Sequence, residues 1–320
     1  MKYRTLGRTG IEVGEVGLGT WSFASGAYGD VEERDALRAI DGALDLGINL
    51  FDTAPLYGNA EQDGVSEIIL GKGLRGKRDK ALISTKFGRN PTEGCAPNFH
   101  AQRARRSVED SLRRLQTDRI DVLFFHSPFS PDEIHDDVWE ALAALKQEGK
   151  VRAVGHSISM FGATQGMARA WAVDRKIDVM QVVYSLLNRE SAQLIADIGG
   201  DDGVGVVARE SLANGFLSGK VTKDTVFPSN NLNSRYSREE VAERVDYVEQ
   251  YRYLVRGEVG TMPQAALRWV LDNPNVSTVL TGARNQAEMA DCVAASDAAG
   301  FTTEELNQAD ALHTKDYAAA

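Results

Sequence analysis

The feature that most constrains the fold of this chain is a repeated alternation between short apolar runs and amphipathic segments. Between the runs, apolar residues recur at spacings of three and four, as at Ala36, Ile40 and Ala43, which indicates helices. Eight strands that alternate with helices are what a closed parallel barrel requires, so we predict an α/β fold, a (β/α)8 TIM barrel. The eight predicted strands are Val16–Gly19, Ile48–Phe51, Ala81–Thr85, Ile120–Phe125, Val151–Gly155, Val179–Val182, Val204–Ala208 and Thr278–Leu280.

Two segments depart from this alternation. Tyr3–Leu6 and Ile11–Val13 flank a Gly-rich turn, which predicts an N-terminal β-hairpin that closes one end of the barrel. Ser211–Gly260 separates the last two strands, and loops longer than ~15 residues are usually functional or mobile. We predict a flap at Thr225–Tyr236 and an extra helix at Arg238–Arg256. No linker or repeat divides the chain, so residues 1–320 are predicted to form a single domain.

Composition excludes several classes of protein. With 42% hydrophobic and 26% charged residues, the chain has the make-up of a soluble globular protein. It has no run of ~18 apolar residues and no apolar segment at its start, so we expect a cytoplasmic protein without a membrane partner. A net charge of -10 disfavours nucleic acid as a partner. Cys95 and Cys292 have no metal-binding or disulfide spacing, so we expect reduced thiols and no metal.

Candidate reacting side chains follow three successive predicted strands. Asp52 follows the second strand and Tyr57 lies five residues later, on a turn-rich loop that ends at Gly58. Lys86 and His126 come directly after the third and fourth strands. Ligands bind at the carboxyl ends of the strands in such barrels, so the four side chains are expected to converge there. Taken alone, Asp52 could equally cap a helix and Tyr57 could be an interface aromatic.

Seven motifs, in order along the chain, carry a resemblance to a known family. The sequence is similar to the aldo-keto reductases, and the resemblance extends from near the first residue to about residue 300. The combination is highly specific, although any one motif alone would be weak. The motifs are Gly17–Trp21, Phe51–Gly58, Ser84–Lys86, Phe125–His126, Gln181–Tyr184, Leu212–Lys220 and Thr281–Arg284.

The resemblance implies reduction of an aldehyde, possibly a sugar aldehyde, or of a ketone by hydride transfer from NAD(P)H. Tyr57 would be the general acid. Its ordinary pKa near 10 is poorly matched to neutral pH, and the ammonium of Lys86 would lower it. Asp52 would keep Lys86 charged and oriented, and His126 would donate a hydrogen bond to the substrate oxygen.

The resemblance also implies the nucleotide site, since no G-x-G-x-x-G motif opens a helix in this chain. Tyr184 would stack on the nicotinamide, Ser157 and Gln181 would bind its carboxamide, and Arg209–Lys220 would cover the pyrophosphate. Arg284 would bind an adenosine 2′-phosphate. The full set of expected cofactor-binding residues is Thr20, Trp21, Asp52, Ser157, Gln181, Tyr184, Arg209, Ser211, Leu212, Asn214, Gly215, Leu217, Ser218, Gly219, Lys220, Arg235, Gly282, Ala283, Arg284, Glu288, Asp291 and Cys292.

The coenzyme is expected to be NADP(H), with NAD(H) as the alternative. Three positions depart from the family pattern: Glu288 stands where Gln or Arg is usual, Cys292 where Asn is usual, and Ile158 where Asn usually follows Ser157. A carboxylate near a 2′-phosphate repels it. Asp291 keeps the acidic position expected to meet the adenine amine.

The substrate pocket is expected to be bordered by aromatic side chains and by His126. Arg89 and His156 add polar groups that favour a polyol or carbohydrate aldehyde. The expected aromatic residues are Trp21, Phe23, Tyr57, Phe87 and Phe129.

Two other functions remain open at this point, as does the oligomeric state. One is a nucleotide-binding regulatory subunit like the potassium-channel β subunits, which resemble the same family but lack the histidine found here at position 126. The other is an unrelated barrel enzyme, either a metal-dependent isomerase or an aldolase that uses Lys86 as a Schiff-base amine.

Overall fold

A computed structural model describes residues 1–24, 31–159, 162–200, 203–282 and 285–317. Eight parallel strands pair in sequence order around a closed barrel, with the last strand beside the first. The predicted α/β barrel is therefore confirmed, and most strand ends differ from the prediction by one or two residues. The barrel strands are β3 (Val16–Gly19), β4 (Leu50–Asp52), β5 (Leu82–Phe87), β6 (Ile120–His126), β7 (Val151–Ser157), β8 (Val179–Val183), β9 (Gly205–Arg209) and β10 (Thr278–Thr281).

The predicted N-terminal hairpin is present as β1 (Tyr3–Thr5) and β2 (Glu12–Gly14), which pair antiparallel. Its apolar residues Leu6, Ile11 and Val13 pack against side chains inside the barrel. The hairpin thus closes the amino-terminal end of the barrel, and the carboxyl ends of the strands border the open end.

Helices follow the strands as right-handed crossovers require. The extra helix after β9 starts as predicted, because Ser237 and Glu240 form a capping box, but it ends earlier, at Glu249. The described helices are α1 (Glu33–Asp45), α2 (Val65–Gly73), α3 (Ala101–Leu115), α4 (Asp137–Gln147), α5 (Gly162–Val173), α6 (Ala192–Ile198), α7 (Arg238–Glu249), α8 (Met262–Leu271), α9 (Gln286–Asp297) and α10 (Thr303–Leu312).

The core has two layers because successive side chains of a strand point to opposite faces. One set, such as Leu50, Phe124 and Val207, fills the barrel interior. The alternate set, such as Phe51 and Phe125, packs against the surrounding helices. This alternation decides which strand-end residues reach the open end of the barrel. None of the helices described here is long and apolar enough to cross a membrane.

Candidate active site

Strand register brings the predicted reacting residues to one end of the barrel. Asp52 lies opposite Ser84 of β5, and His126 lies opposite Ser157 of β7. Neighbours in register point to the same face of a sheet. Asp52 and His126 are therefore presented on the interior side of the barrel, at the carboxyl ends of their strands.

The ammonium of Lys86 connects the proposed catalytic residues. Its Nζ lies 2.7 Å from Asp52 Oδ2 and 3.1 Å from the hydroxyl of Tyr57, and it also donates to the carbonyl of Thr53 at 2.9 Å. Lys86 is 1% exposed. A lysine buried to this extent requires a counterion, and Asp52 supplies it.

Asp52 is fixed from its other side. Its Oδ1 accepts hydrogen bonds from Ser84 Oγ at 2.7 Å and from Gln181 Nε2 at 2.9 Å. Gln181 Oε1 in turn accepts from Ser157 Oγ at 3.2 Å, so the pair expected to bind a carboxamide is joined to the carboxylate. Ser84 belongs to the Ser84–Lys86 motif, but no role was assigned to it from sequence, although its position two residues before Lys86 places both on one face of β5.

Burial and charge act on these groups in opposite directions. Burial alone would lower the pKa of Lys86, but Asp52 and Tyr57 more than offset this, and the pKa is raised. Burial raises the pKa of Tyr57 above its ordinary value, and the Lys86 ammonium opposes the rise. The expectation from sequence that Lys86 makes the phenol more acidic than usual is therefore wrong. Desolvation of the phenol outweighs the effect of the ammonium.

His126 is a neutral imidazole in this site. Its ring meets the ring of Tyr57 edge to face, with centroids 6.0 Å apart. Burial holds its pKa well below 6.5, and the charges of Lys86, Arg89 and Arg209 lower it further. Among the described residues, Nδ1 has no hydrogen-bond partner. A neutral imidazole can donate one hydrogen bond to a substrate oxygen.

The loop that carries Tyr57 is held close to α2. The N–H of Ser66 donates to the carbonyl of Tyr57, and the N–H of Gly64 donates to that of Pro55. A Cβ on Gly58 would lie 2.1 Å from the carbonyl oxygen of Gln62, so only glycine fits there. The glycine therefore permits the tight return of the chain that positions the phenol.

A cleft of about 480 Å³ opens from Tyr57 and Asp52. It brings together most of the predicted cofactor-binding residues, which come from distant parts of the sequence. The flap also contributes Thr225, Phe227, Asn231 and Asn233, which sequence motifs did not identify individually. The predicted residues that line the cleft are Trp21, Asp52, Tyr57, Gln181, Arg209, Ser211, Leu212, Asn214, Gly215, Ser218, Lys220, Gly282, Glu288, Asp291 and Cys292.

Charged groups also line the part of the cleft formed by the loop after β9 and by α9. Lys220 Nζ lies 2.5 Å from Glu288 Oε1 and joins the loop to the helix. Asp291 accepts hydrogen bonds from Thr261 and Gln264. Burial raises the pKa of the Cys292 thiol to about 12. Ala283 and Arg284 lie outside the described residues, so the expected 2′-phosphate contact stays a prediction.

Three strand-end predictions are corrected by the alternation of side chains. Tyr184 does not line the cleft: it packs on Trp269 with ring centroids 5.1 Å apart. Phe87 is fully buried between Phe99 and Phe125, beneath the helices. His156 is also fully buried, 4.8 Å from the ring of Trp171. Phe87 and His156 are adjacent to the inward-facing Lys86 and Ser157, and Tyr184 lies three residues after the inward-facing Gln181. Residues an odd number of positions apart along a strand point to opposite faces, so all three point outward.

Arg209 is expected from sequence only to begin the loop that covers the pyrophosphate, but the structure also places it near the proposed proton donor. It ends β9, lines the cleft, and lowers the pKa of both Tyr57 and His126. Its own counterion is Glu210. A second cation therefore faces the proposed proton donor from the opposite wall of the barrel.

The remaining predicted residues play different parts in the structure. Thr20 is buried and donates to the carbonyl of Asp52. Phe23 and Leu217 belong to the core, and Arg235 is exposed and donates to the hydroxyl of Tyr236. Gly219 has a φ of +71° and follows the 3-10 turn Ala213–Ser218. Neither these four side chains nor Gly219 lines the cleft.

A phenol that lines a cleft, in contact with a buried ammonium and beside a neutral imidazole, can donate a proton to a substrate held there. The fold and the site define a (β/α)8 barrel protein with its ligand cleft at the carboxyl ends of the strands. The sequence model of the aldo/keto reductase family matches residues 15–314. The chain belongs to this family of oxidoreductases.

Curated relatives and solved structures agree with this assignment. The chain is 33% identical over 319 residues to the aldo-keto reductase YhdN of Bacillus subtilis, covering 97% of this chain and 92% of the relative. The holo form of the aldo-keto reductase AKR11C1 from Bacillus halodurans matches with a TM-score of 0.79 and 30% identity, covering 99% and 98% of the two chains.

Two further relatives have names that state a function. An NADH-specific methylglyoxal reductase of Escherichia coli is 30% identical, with 92% of this chain and 93% of the relative covered. A probable voltage-gated potassium channel subunit beta of Oryza sativa is 28% identical, with coverage of 96% and 94%. These names describe those proteins.

Proposed function

We propose that the protein reduces a small carbonyl compound to an alcohol with a reduced nicotinamide nucleotide. The observation that supports this most directly is the hydroxyl of Tyr57, which lies 3.1 Å from Lys86 Nζ, on a residue that lines the cleft. Carbonyl reduction requires a proton donor at the oxygen, and this hydroxyl is suitably placed for that role.

The cleft is suited to a dinucleotide. Its volume lies within the usual range for small-molecule sites. Gly215 and Gly282 border it, and a Cβ on either would meet no atom within 4 Å, so the backbone faces open space that a phosphate group can approach. Lys220 would supply positive charge. The bound nucleotide would supply the hydride.

In the proposed mechanism, the protein's own groups handle the substrate oxygen. Tyr57 donates a proton to the oxygen as negative charge develops on it, and Lys86 stabilises the phenolate that remains. Neutral His126 donates a second hydrogen bond to the same oxygen. Asp52, held by Ser84 and Gln181, keeps Lys86 charged and in place.

The proposal is tested by measuring nucleotide binding and carbonyl turnover separately. Quenching of protein fluorescence reports binding of NADPH and NADH, and a panel of small aldehydes, sugars and ketones reports turnover. We expect micromolar binding and reduction of at least one class of carbonyl. Binding without turnover of any member of the panel would contradict the proposed reaction.

The pH dependence follows from the two shifted pKa values. Reduction needs the protonated phenol, whose pKa is raised, and neutral His126, whose pKa is lowered. We therefore expect kcat/KM for reduction to be flat between about pH 6.5 and 9 and to fall only at higher pH. Oxidation needs the phenolate, so its kcat/KM should rise with pH over the same range. A fall in reduction centred near pH 6.5 would contradict the assigned state of His126.

We propose NADP(H) as the favoured coenzyme, with NAD(H) as the alternative. The ion pair with Lys220 offsets the charge of Glu288, which removes part of the objection to a 2′-phosphate in this region. NAD(H) is favoured by the same carboxylate, which is suited to binding a ribose hydroxyl, and by the NADH specificity in the name of the related methylglyoxal reductase.

The substitution Glu288→Gln tests the coenzyme. Loss of the carboxylate would remove a repulsive charge and release Lys220, so the ratio of kcat/KM for NADPH to that for NADH should rise about tenfold. Steady-state kinetics with both coenzymes measure the ratio. Glu239→Gln, an exposed change on α7, is the control. An unchanged ratio in Glu288→Gln would place the 2′ position elsewhere.

The rival function is that of a nucleotide-binding regulatory subunit. It is tested because the relatives include a probable potassium channel subunit beta of Oryza sativa. The presence of His126 favours an enzyme instead. Stopped-flow measurement of bound NADPH after mixing with aldehydes separates the two. Oxidation within the time of a normal turnover supports the enzyme, and persistence of NADPH with the whole panel supports the subunit.

A further inference from the structure

The turn that follows β6 carries His126 at its start and Phe129 three residues later. Ser127 has a left-handed backbone, with a φ of +49°, and no glycine is present to make that conformation easy. The Phe129 side chain is 46% exposed, which is unusual for a large aromatic residue. A strained turn with an exposed ring requires contacts elsewhere to hold it.

The N–H of Ser127 donates to the carbonyl of Ser157 at 3.1 Å, and the side chain of Arg89, in the loop after β5, binds the carbonyls of the turn. Its Nε donates to the carbonyl of His126 at 3.1 Å, and its Nη2 donates to that of Ser127 at 3.2 Å. Its Nη1 donates to the carbonyl of Cys95 at 3.1 Å. All three guanidinium nitrogens are therefore engaged, and the residue is only 9% exposed.

The same guanidinium also supports the exposed ring. Its Cζ lies 4.3 Å from the centroid of the Phe129 ring, within the range of a cation–π contact. Glu133 completes the arrangement, since its Oε2 accepts from the N–H of Phe129 at 3.0 Å and lies 3.5 Å from Arg89 Nη2. From sequence, Arg89 and Phe129 are expected to border the substrate pocket. The donors of Arg89 are instead occupied by the protein, and neither residue lines the described cleft.

The imidazole of His126 depends on this turn. Within the described part of the chain, its Nδ1 accepts or donates no hydrogen bond that would fix the ring. The direction of the ring is therefore set by the backbone on which it stands and by its edge contact with Tyr57.

We propose that Arg89 is a positioning residue, which fixes the turn after β6 so that His126 faces the reacting oxygen. The fork of the guanidinium matters as well as its charge, because a lysine offers a point charge and cannot bridge three carbonyls in this geometry. This inference rests on the proposed carbonyl reduction.

The first test is a double-mutant cycle between Arg89→Gln and His126→Ala. Displacing a catalytic group by about 1 Å can cost up to 10²-fold in rate, so Arg89→Gln should lower kcat about 10- to 100-fold in the otherwise wild-type protein. It should have little further effect once His126 is alanine, because the residue through which it acts is gone. Equal effects in both backgrounds would overturn the proposal.

The second test separates geometry from charge. Arg89→Lys should remain impaired in kcat, because lysine keeps the charge but lacks the fork that binds the two carbonyls of the turn. Full activity in Arg89→Lys would overturn the proposal. Arg105→Gln, an exposed arginine on α3, is the control. Should Arg89→Gln fail to fold, Arg89→Lys carries the cycle with His126→Ala.

A third measurement does not depend on activity and so distinguishes this proposal from the function on which it rests. The His126 resonance in 15N-histidine NMR, assigned with His126→Ala, should titrate far below pH 6.5 in the wild type. In Arg89→Lys, which keeps the positive charge, it should still titrate closer to its ordinary value, because the turn loosens and the imidazole is less well buried. An unchanged titration would overturn the proposal even if no carbonyl substrate were found.

Discussion

Replacing Tyr57 with phenylalanine is expected to lower kcat for carbonyl reduction by about 10²- to 10⁴-fold, the usual contribution of a positioned general acid. The hydroxyl is the only group removed, and it donates the proton to the substrate oxygen in the proposed mechanism. Nucleotide affinity should change little, because the ring and the loop around Gly58 remain. Steady-state kinetics and fluorescence titration with NADPH measure the two effects separately.

A matched control is Tyr3→Phe, which removes a phenolic hydroxyl from the opposite end of the barrel, where it donates to the carbonyl of Gly47. That variant should keep wild-type kinetics. Near-normal turnover in Tyr57→Phe would remove Tyr57 from the role of proton donor. A parallel loss of nucleotide binding would instead indicate a structural role for the hydroxyl.

The barrel and the meeting of Asp52, Tyr57, Lys86 and His126 could be predicted from sequence because both depend on local signals. Apolar runs mark the strands, and in a parallel barrel every strand ends at the same face. A titratable residue directly after a run is therefore placed at that face whatever the loops do. The contact of Lys86 with Asp52 follows from this geometry, whereas its contact with Tyr57 also depends on the tight loop at Gly58.

The direction in which these strand-end side chains point could also be predicted from the sequence, but matching residues to the family by motif does not take it into account. Lys86 faces the barrel interior, so Phe87 must face the helices, and the same parity separates Ser157 from His156 and Gln181 from Tyr184. Side chains along a strand alternate between its two faces. Phe87, His156 and Tyr184 are therefore expected to point away from the barrel interior, which Lys86, Ser157 and Gln181 face.

Other features depend on loops whose path the sequence does not encode locally. The ion pair between Lys220 and Glu288 joins residues 68 positions apart, and Arg89 holds a turn 37 positions away. Burial of the Tyr57 phenol is likewise a property of the assembled barrel, which is why the direction of its pKa shift was predicted incorrectly.

The largest combined effect on stability and activity is expected for Lys86→Met. This change leaves Asp52 buried without its counterion, and removing one partner of a buried ion pair typically lowers the free energy of unfolding by about 3–5 kcal/mol. It also removes the cation that stabilises the Tyr57 phenolate, so kcat should fall at least about 10²-fold. Denaturant unfolding and steady-state kinetics measure the two losses.

The double variant Asp52→Asn/Lys86→Met separates these losses, because it removes both charges together. A neutral amide can still accept the hydrogen bonds of Ser84 and Gln181, so much of the lost stability should return. Activity should not return, since nothing replaces the ammonium beside Tyr57. Lys80→Met, an exposed lysine before β5, should change neither quantity. Recovery of turnover in the double variant would show that the positive charge of Lys86 is not needed, and an unfolding midpoint of Lys86→Met equal to that of the wild type would refute the buried ion pair.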